Sequence, residues 1–107
     1  MSRVAKKSNK IGNLNIGGHV YKVKHMKDVN KKDGRMLLGL HDVKEQTIMV
    51  DIDLQKSRKV ETLLHEVLHV IYTNTGCDHD ERAIDALSNG LMQLGVGNFI
   101  WDKVKRV

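Results

Sequence analysis

Near residue 53 the spacing of apolar side chains changes from a period of two to one of about 3.6, and no other feature constrains the fold as strongly. Before the switch, Val20, Lys22 and Lys24 alternate with Tyr21 and Val23, as in a half-exposed strand. Residues 11–16 lead into it through Gly17-Gly18, which predicts a hairpin. Residues 36–41 are apolar enough for a further strand, 43–46 make a short connection, and 47–52 are the strongest strand in the chain. After the switch, Val60, Leu63, Leu64, Val67, Leu68 and Ile71 form one apolar arc of a helix over 57–74, capped by Asp53 or Ser57 and stopped at Gly76. A second helix over 78–94 carries Ile84, Leu87, Leu91 and Leu94 as its stripe. Gly95 and Gly97 break it, and 98–107 form a short terminal helix anchored by Trp101. Strands followed by a helical hairpin predict an α+β domain, with a mixed or antiparallel sheet of three to four strands packed on two helices.

The chain has 107 residues, enough for one domain, expected over 11–107 behind a basic flexible tail at 1–10. With 40% apolar and 29% charged residues and no proline, it is neither a disordered nor a collagen-like chain. The single cysteine, Cys77, excludes an internal disulfide. No apolar run approaches the ~20 residues of a membrane span. The four basic residues of the first ten lack the apolar stretch of a secretory signal. A cytoplasmic protein with no membrane partner is therefore expected, of open oligomeric state. The net charge of +5 hints weakly at nucleic acid through the tail and the lysines between 22 and 32, although a solvated face is the simpler expectation. At this size the core is thin, so a bound metal would matter to stability.

His65-Glu66-Val67-Leu68-His69 is an H-E-x-x-H motif on the first predicted helix. Residues four apart on a helix lie about 40° apart around the axis and ~6 Å apart along it, so both imidazoles can reach one metal ion. Glu66 sits about 100° round from His65, on the same broad side, where it can hold a water on the metal without being a ligand. Burying the apolar arc turns these three side chains toward a cleft. Zinc is the expected ion, and catalytic zinc takes three protein ligands and leaves one position open.

For the third ligand the sequence leaves several choices. The metzincin continuation fails, because Tyr72 and Thr75 stand where glycine and histidine are needed. Cys77 and His79 lie in the turn between the helices. Glu81 and Asp85 lie one turn apart at the start of the second helix, and packing its stripe against the first brings both toward the metal face. Glu81 is also spaced for a capping box with Asp78.

With these residues the chain resembles a minimal gluzincin, specifically the small, often phage-encoded metallopeptidase-like proteins related to the IrrE/ImmA group. The resemblance is carried by Thr47-Ile48-Met49-Val50-Asp51, by residues 62–71 around the H-E-x-x-H motif, and by residues 80–91 beginning Asp80-Glu81-Arg82-Ala83-Ile84-Asp85. It implies a zincin-like fold with His65, His69 and Glu81 as zinc ligands and Glu66 as general base. It also implies that Asp85 hydrogen-bonds a ligand histidine from behind, fixing its tautomer and orientation, and the resemblance thus decides the third ligand for Glu81. Large gluzincins also supply a downstream histidine or tyrosine for the tetrahedral intermediate, and nothing comparable follows Leu91. Tyr72, which nearly eclipses His65 on the helix, is one substitute; His41 and Tyr21 are others.

The expected function is zinc-dependent hydrolysis of a peptide bond in a protein or peptide substrate, through a zinc-bound water with Glu66 as general base. The 47–52 strand, if it lies at the cleft edge, would bind the substrate by strand addition. The alternative is a zinc-stabilised binding module that no longer hydrolyses anything.

Overall fold

The computed structural model describes residues 9–27, 38–78 and 80–104. Four strands, β1 (Asn9–Ile16), β2 (His19–Met26), β3 (Gly39–Asp42) and β4 (Thr47–Asp51), precede three helices, α1 (Lys56–Thr75), α2 (Glu81–Gln93) and α3 (Val96–Lys103). The fold is α+β, as expected, with a mixed sheet in the order β1-β2-β4-β3. The hairpin β1-β2 and the pair β3-β4 are antiparallel, and β2 runs parallel to β4. None of the described helices is long and apolar enough to cross a membrane.

Strand alternation sends Leu14, Tyr21, Val23, Ile48 and Val50 to one face of the sheet, where they form the core with Val60, Leu63, Val67 and Val70 of α1. In register with Val23 and Ile48 lies His41, and in register with Val50 lies Gly39, so both β3 residues share the face that α1 covers. A slip of one residue would turn His41 away from the helix. Trp101 packs into the same core and fastens α3 to it. A smaller cluster of Leu64, Leu68 and Ile84 joins α1 to α2.

Several boundaries differ from the sequence reading. Asn9 and Lys10, assigned to the tail, belong to β1 and pair with His25 and Lys24; the rest of the tail lies outside the described residues, as do 36 and 37 of the expected third strand. The 47–52 strand is not an edge: β2 and β3 flank β4, and β3 is the outer strand on that side. Neither Asp53 nor Ser57 caps α1. Gln55 precedes the helix without a side-chain cap, while the Asp51 carboxylate accepts from the Asp53 amide at 2.9 Å to form the preceding turn. Gly76 does end α1 in the left-handed conformation, its amide and that of Cys77 closing on the last carbonyls.

The apolar stripes shift as well. Val70 is fully buried where Ile71 was expected, because positions 60, 63, 67 and 70 follow the sheet. On α2 the inward line is Ile84, Ser88 and Leu91, a spacing of four and three, which leaves Leu87 exposed and Leu94 78% exposed. Gly95 ends α2, but Gly97 lies inside α3 against Val60 and Met92, so the terminal helix begins earlier than expected.

Candidate metal centre

α1 carries His65, Glu66 and His69 along its side facing β3 and α2. Packing of Ile84 and Leu91 against Leu64 and Leu68 lays the first turns of α2 alongside them. The start of α2 is held by Asp80, whose carboxylate accepts from the amides of Arg82 and Ala83. The Asp78–Glu81 capping box therefore does not form, and the Glu81 side chain is spent on the histidines instead. One Glu81 oxygen lies 2.9 Å from His69 Nε2 and the other 3.5 Å from His65 Nε2.

His65, His69 and Glu81 each offer a ligand atom, all within 4.8 Å of one another, and the group could hold a metal ion. A tetrahedral ion with bonds of ~2.0–2.1 Å separates its ligand atoms by roughly 3.3 Å, so three atoms within 4.8 Å of one another need only a modest closing movement to share it. Two nitrogens and a carboxylate oxygen also match the donor types that such ions take. The two rings meet edge to face, with centroids 4.9 Å apart. Burial pushes the His69 pKa below its ordinary value, outweighing the pull of the Glu81 and Glu66 carboxylates. A shift in that direction favours the neutral form that metals bind.

Asp85 does not join this group. Its carboxylate lies 3.4 Å from Nδ1 of His65, the ring nitrogen away from Glu81. Cys77 is exposed and accepts from the Thr75 hydroxyl, and His79 lies outside the described residues. Glu66 stands beside the three ligand candidates and is only 8% exposed. A carboxylate so withdrawn from water needs a partner. That partner is His41, whose Nδ1–H donates to Glu66 Oε1 at 2.7 Å. This hydrogen bond, together with the nearby Glu66 charge, raises the His41 pKa in spite of burial. The His41 ring also stacks on His69, 14° from parallel.

These groups line an open cleft of about 690 Å³ between β3 and the helices, with Gly39, Leu40 and His41 along one wall and Glu81, Asp85 and Ser88 along the other. Of the three aromatic or imidazole side chains considered for the tetrahedral intermediate, only His41 lines the cleft. Tyr72 packs against the Leu64–Leu68–Ile84 cluster, and Tyr21 is buried in the core. Seven residues past His65, Tyr72 lies only about 20° round the helix but ~10.5 Å further along its axis, and its side chain packs on that cluster instead of lining the cleft. The sequence reading missed the contact between His41 and Glu66, although Gly39-x-His41 on a short strand is a spacing that puts both on one face.

Comparison with protein-family models, curated proteins and solved structures finds no match for this chain.

Proposed function

We propose that the chain is a zinc-dependent metallopeptidase of the minimal gluzincin type, with His65, His69 and Glu81 as ligands. The observation that supports it is the separation of roles in one open cleft: three ligand atoms converge, and a buried carboxylate stands next to them without joining them. Zinc, when bound, supplies a Lewis acid that acidifies a water and polarises the scissile carbonyl. The chain's own residues do the rest. Glu66 accepts the water's proton and passes it to the leaving amine. Asp85 accepts from Nδ1–H of His65, fixing the tautomer that leaves Nε2 as ligand. The outer edge of β3, which pairs only with β4 among the described residues, offers backbone groups to an extended peptide. We place this activity in the cytoplasm, the host's if the chain is phage-encoded.

The test is Glu66→Gln in zinc-loaded protein presented with a diverse peptide mixture. The variant should keep one equivalent of zinc and lose turnover by about 10²–10⁴-fold. Undiminished turnover would eliminate Glu66 as the base.

One observation favours a second reading, a zinc-stabilised binding module. Among the described residues no histidine or tyrosine of α2 or α3 lines the cleft. On that reading the wild type binds a full equivalent of zinc, melts at a much lower temperature after chelation, and cleaves nothing in the mixture.

A further inference from the structure

β3 approaches α1 unusually closely. A Cβ on Gly39 would stand 2.6 Å from the Thr62 methyl and 3.0 Å from the Met49 carbonyl oxygen, with the Glu66 Cγ just beyond at 3.4 Å. Thr62 is itself buried, so it has little room to retreat. Only glycine allows this approach, and two residues along the same strand face it delivers His41 onto Glu66. The contact is short, joins residues 25 apart in sequence, and lies where a carboxylate is withdrawn from solvent beside three potential ligands.

We propose that His41 is a positioning residue for Glu66, holding one carboxylate oxygen through Nδ1–H so that the side chain stays off the metal group and its second oxygen is presented to the cleft. The proposal rests on the metal centre of the reading above and adds a contact that the reading does not require. A glutamate next to a cation has two uses, as ligand or as base. Its charge draws it onto the ion, and a hydrogen bond from the opposite side opposes that pull. His41 comes from the sheet, Glu66 from the helix, and Gly39 sets the distance between them. The near-parallel stacking of His41 on His69, with centroids 5.3 Å apart, helps to hold the ring that makes the bond.

Two measurements test it without relying on turnover. In metal-free protein, the melting temperatures of His41→Ala, Glu66→Ala and the double variant should be non-additive, because each single change removes the same contact. In cobalt-loaded protein, His41→Ala should alter the visible spectrum as the released carboxylate reaches the ion. His41→Asn, whose amide nitrogen can take the place of Nδ1, should restore the wild-type spectrum. Glu66→Gln and His41→Ala/Glu66→Gln should have the same spectrum as each other. Additive melting, or a His41→Ala spectrum like that of the wild type, overturns the clamp. A spectral effect of His41→Ala that persists in the Glu66→Gln background overturns it too, since His41 would then act on the ion itself. A chain that takes up no cobalt sinks the metal centre and the clamp together. A chain that shows the expected spectra but cleaves no peptide sinks the hydrolase reading alone. With turnover in hand, His41→Ala should lower kcat more than tenfold with KM little changed, and Gly39→Ala should move in the same direction while His41 is intact.

Discussion

Val60, Leu63, Val67 and Val70 on one side of α1, and Thr62, Glu66 and His69 on another, are withdrawn from solvent to a similar degree. They reach that state by opposite physics. The first stripe is apolar and packs on the sheet, where burial of each side chain stabilises by about 1.5–3 kcal/mol. The second is polar, and its burial is unfavourable unless every group finds a partner. Those partners come from elsewhere in the chain: His41 of β3 for Glu66, and Glu81 of α2 for His69. The apolar stripe therefore holds the molecule together, and the polar stripe keeps its reactive groups oriented at some cost in stability. That cost is the expected mark of a functional site.

The comparison breaks most readily at its extremes. Leu63→Ala, which empties a fully buried position of the apolar stripe, should destabilise by about 2–5 kcal/mol in denaturant unfolding, whether or not metal is present. Replacing His41 and Glu66 together by leucine should do the reverse of what their burial suggests. Removing both partners at once leaves no orphan, so metal-free stability should stay within ~1 kcal/mol of wild type or rise. A loss comparable to that of Leu63→Ala would show that the polar stripe is structural after all. His69→Ala should abolish stoichiometric metal uptake, measured by elemental analysis, and remove any lowering of the melting temperature by chelator.

A smaller effect separates two histidines on the same sheet face. His25 is held below its ordinary pKa, first by burial and then by Lys59, and its Nε2 is buried with no hydrogen-bond partner among the described residues. Its neutral form is favoured in the folded state, while the unfolded chain takes up the proton near pH 6.5. Stability from this site is therefore full above pH 6.5 and falls as pH drops from there toward the depressed folded value. His41 has the opposite sign. Its raised pKa contributes stability that is present below pH 6.5 and lost as pH rises through the folded value. Stability curves of metal-free protein should show His25→Leu flattening the acid loss and His41→Ala deepening it. Smallest of all, Ile71→Ser on the exposed shoulder of α1 should change stability by no more than about 0.5 kcal/mol. A larger loss would place Ile71 in the core stripe where the sequence pattern had put it.

The order of strands and helices, the Gly17-Gly18 hairpin and the left-handed stop at Gly76 were legible because each depends on local chemistry: alternation, helical period and the freedom of glycine. The candidate ligands on α1 were legible for the same reason, since four residues of helix bring two side chains together wherever the helix is placed. Errors gathered where the decision is made between elements. Leu87 and Ile71 belong to convincing apolar patterns, yet the direction from which α2 and the sheet approach selected Ser88 and Val70 for burial instead. Tyr72 looked well placed along α1 and was taken up by the packing against Ile84.

What the sequence by itself determined, then, was an α+β chain with two imidazoles and a carboxylate on one side of a helix, because periods of two and 3.6 are properties of the backbone. Only the tertiary structure decided that Glu81 meets both imidazoles while Asp85 lies on the far nitrogen of one, that β3 and not β4 borders the cleft, and that His41 reaches Glu66. These depend on parallel pairing between β2 and β4 and on an approach of β3 to α1 that a single absent Cβ at Gly39 permits. Such contacts join residues far apart in the chain. Their geometry is set by how whole surfaces fit, which no local pattern of residues records.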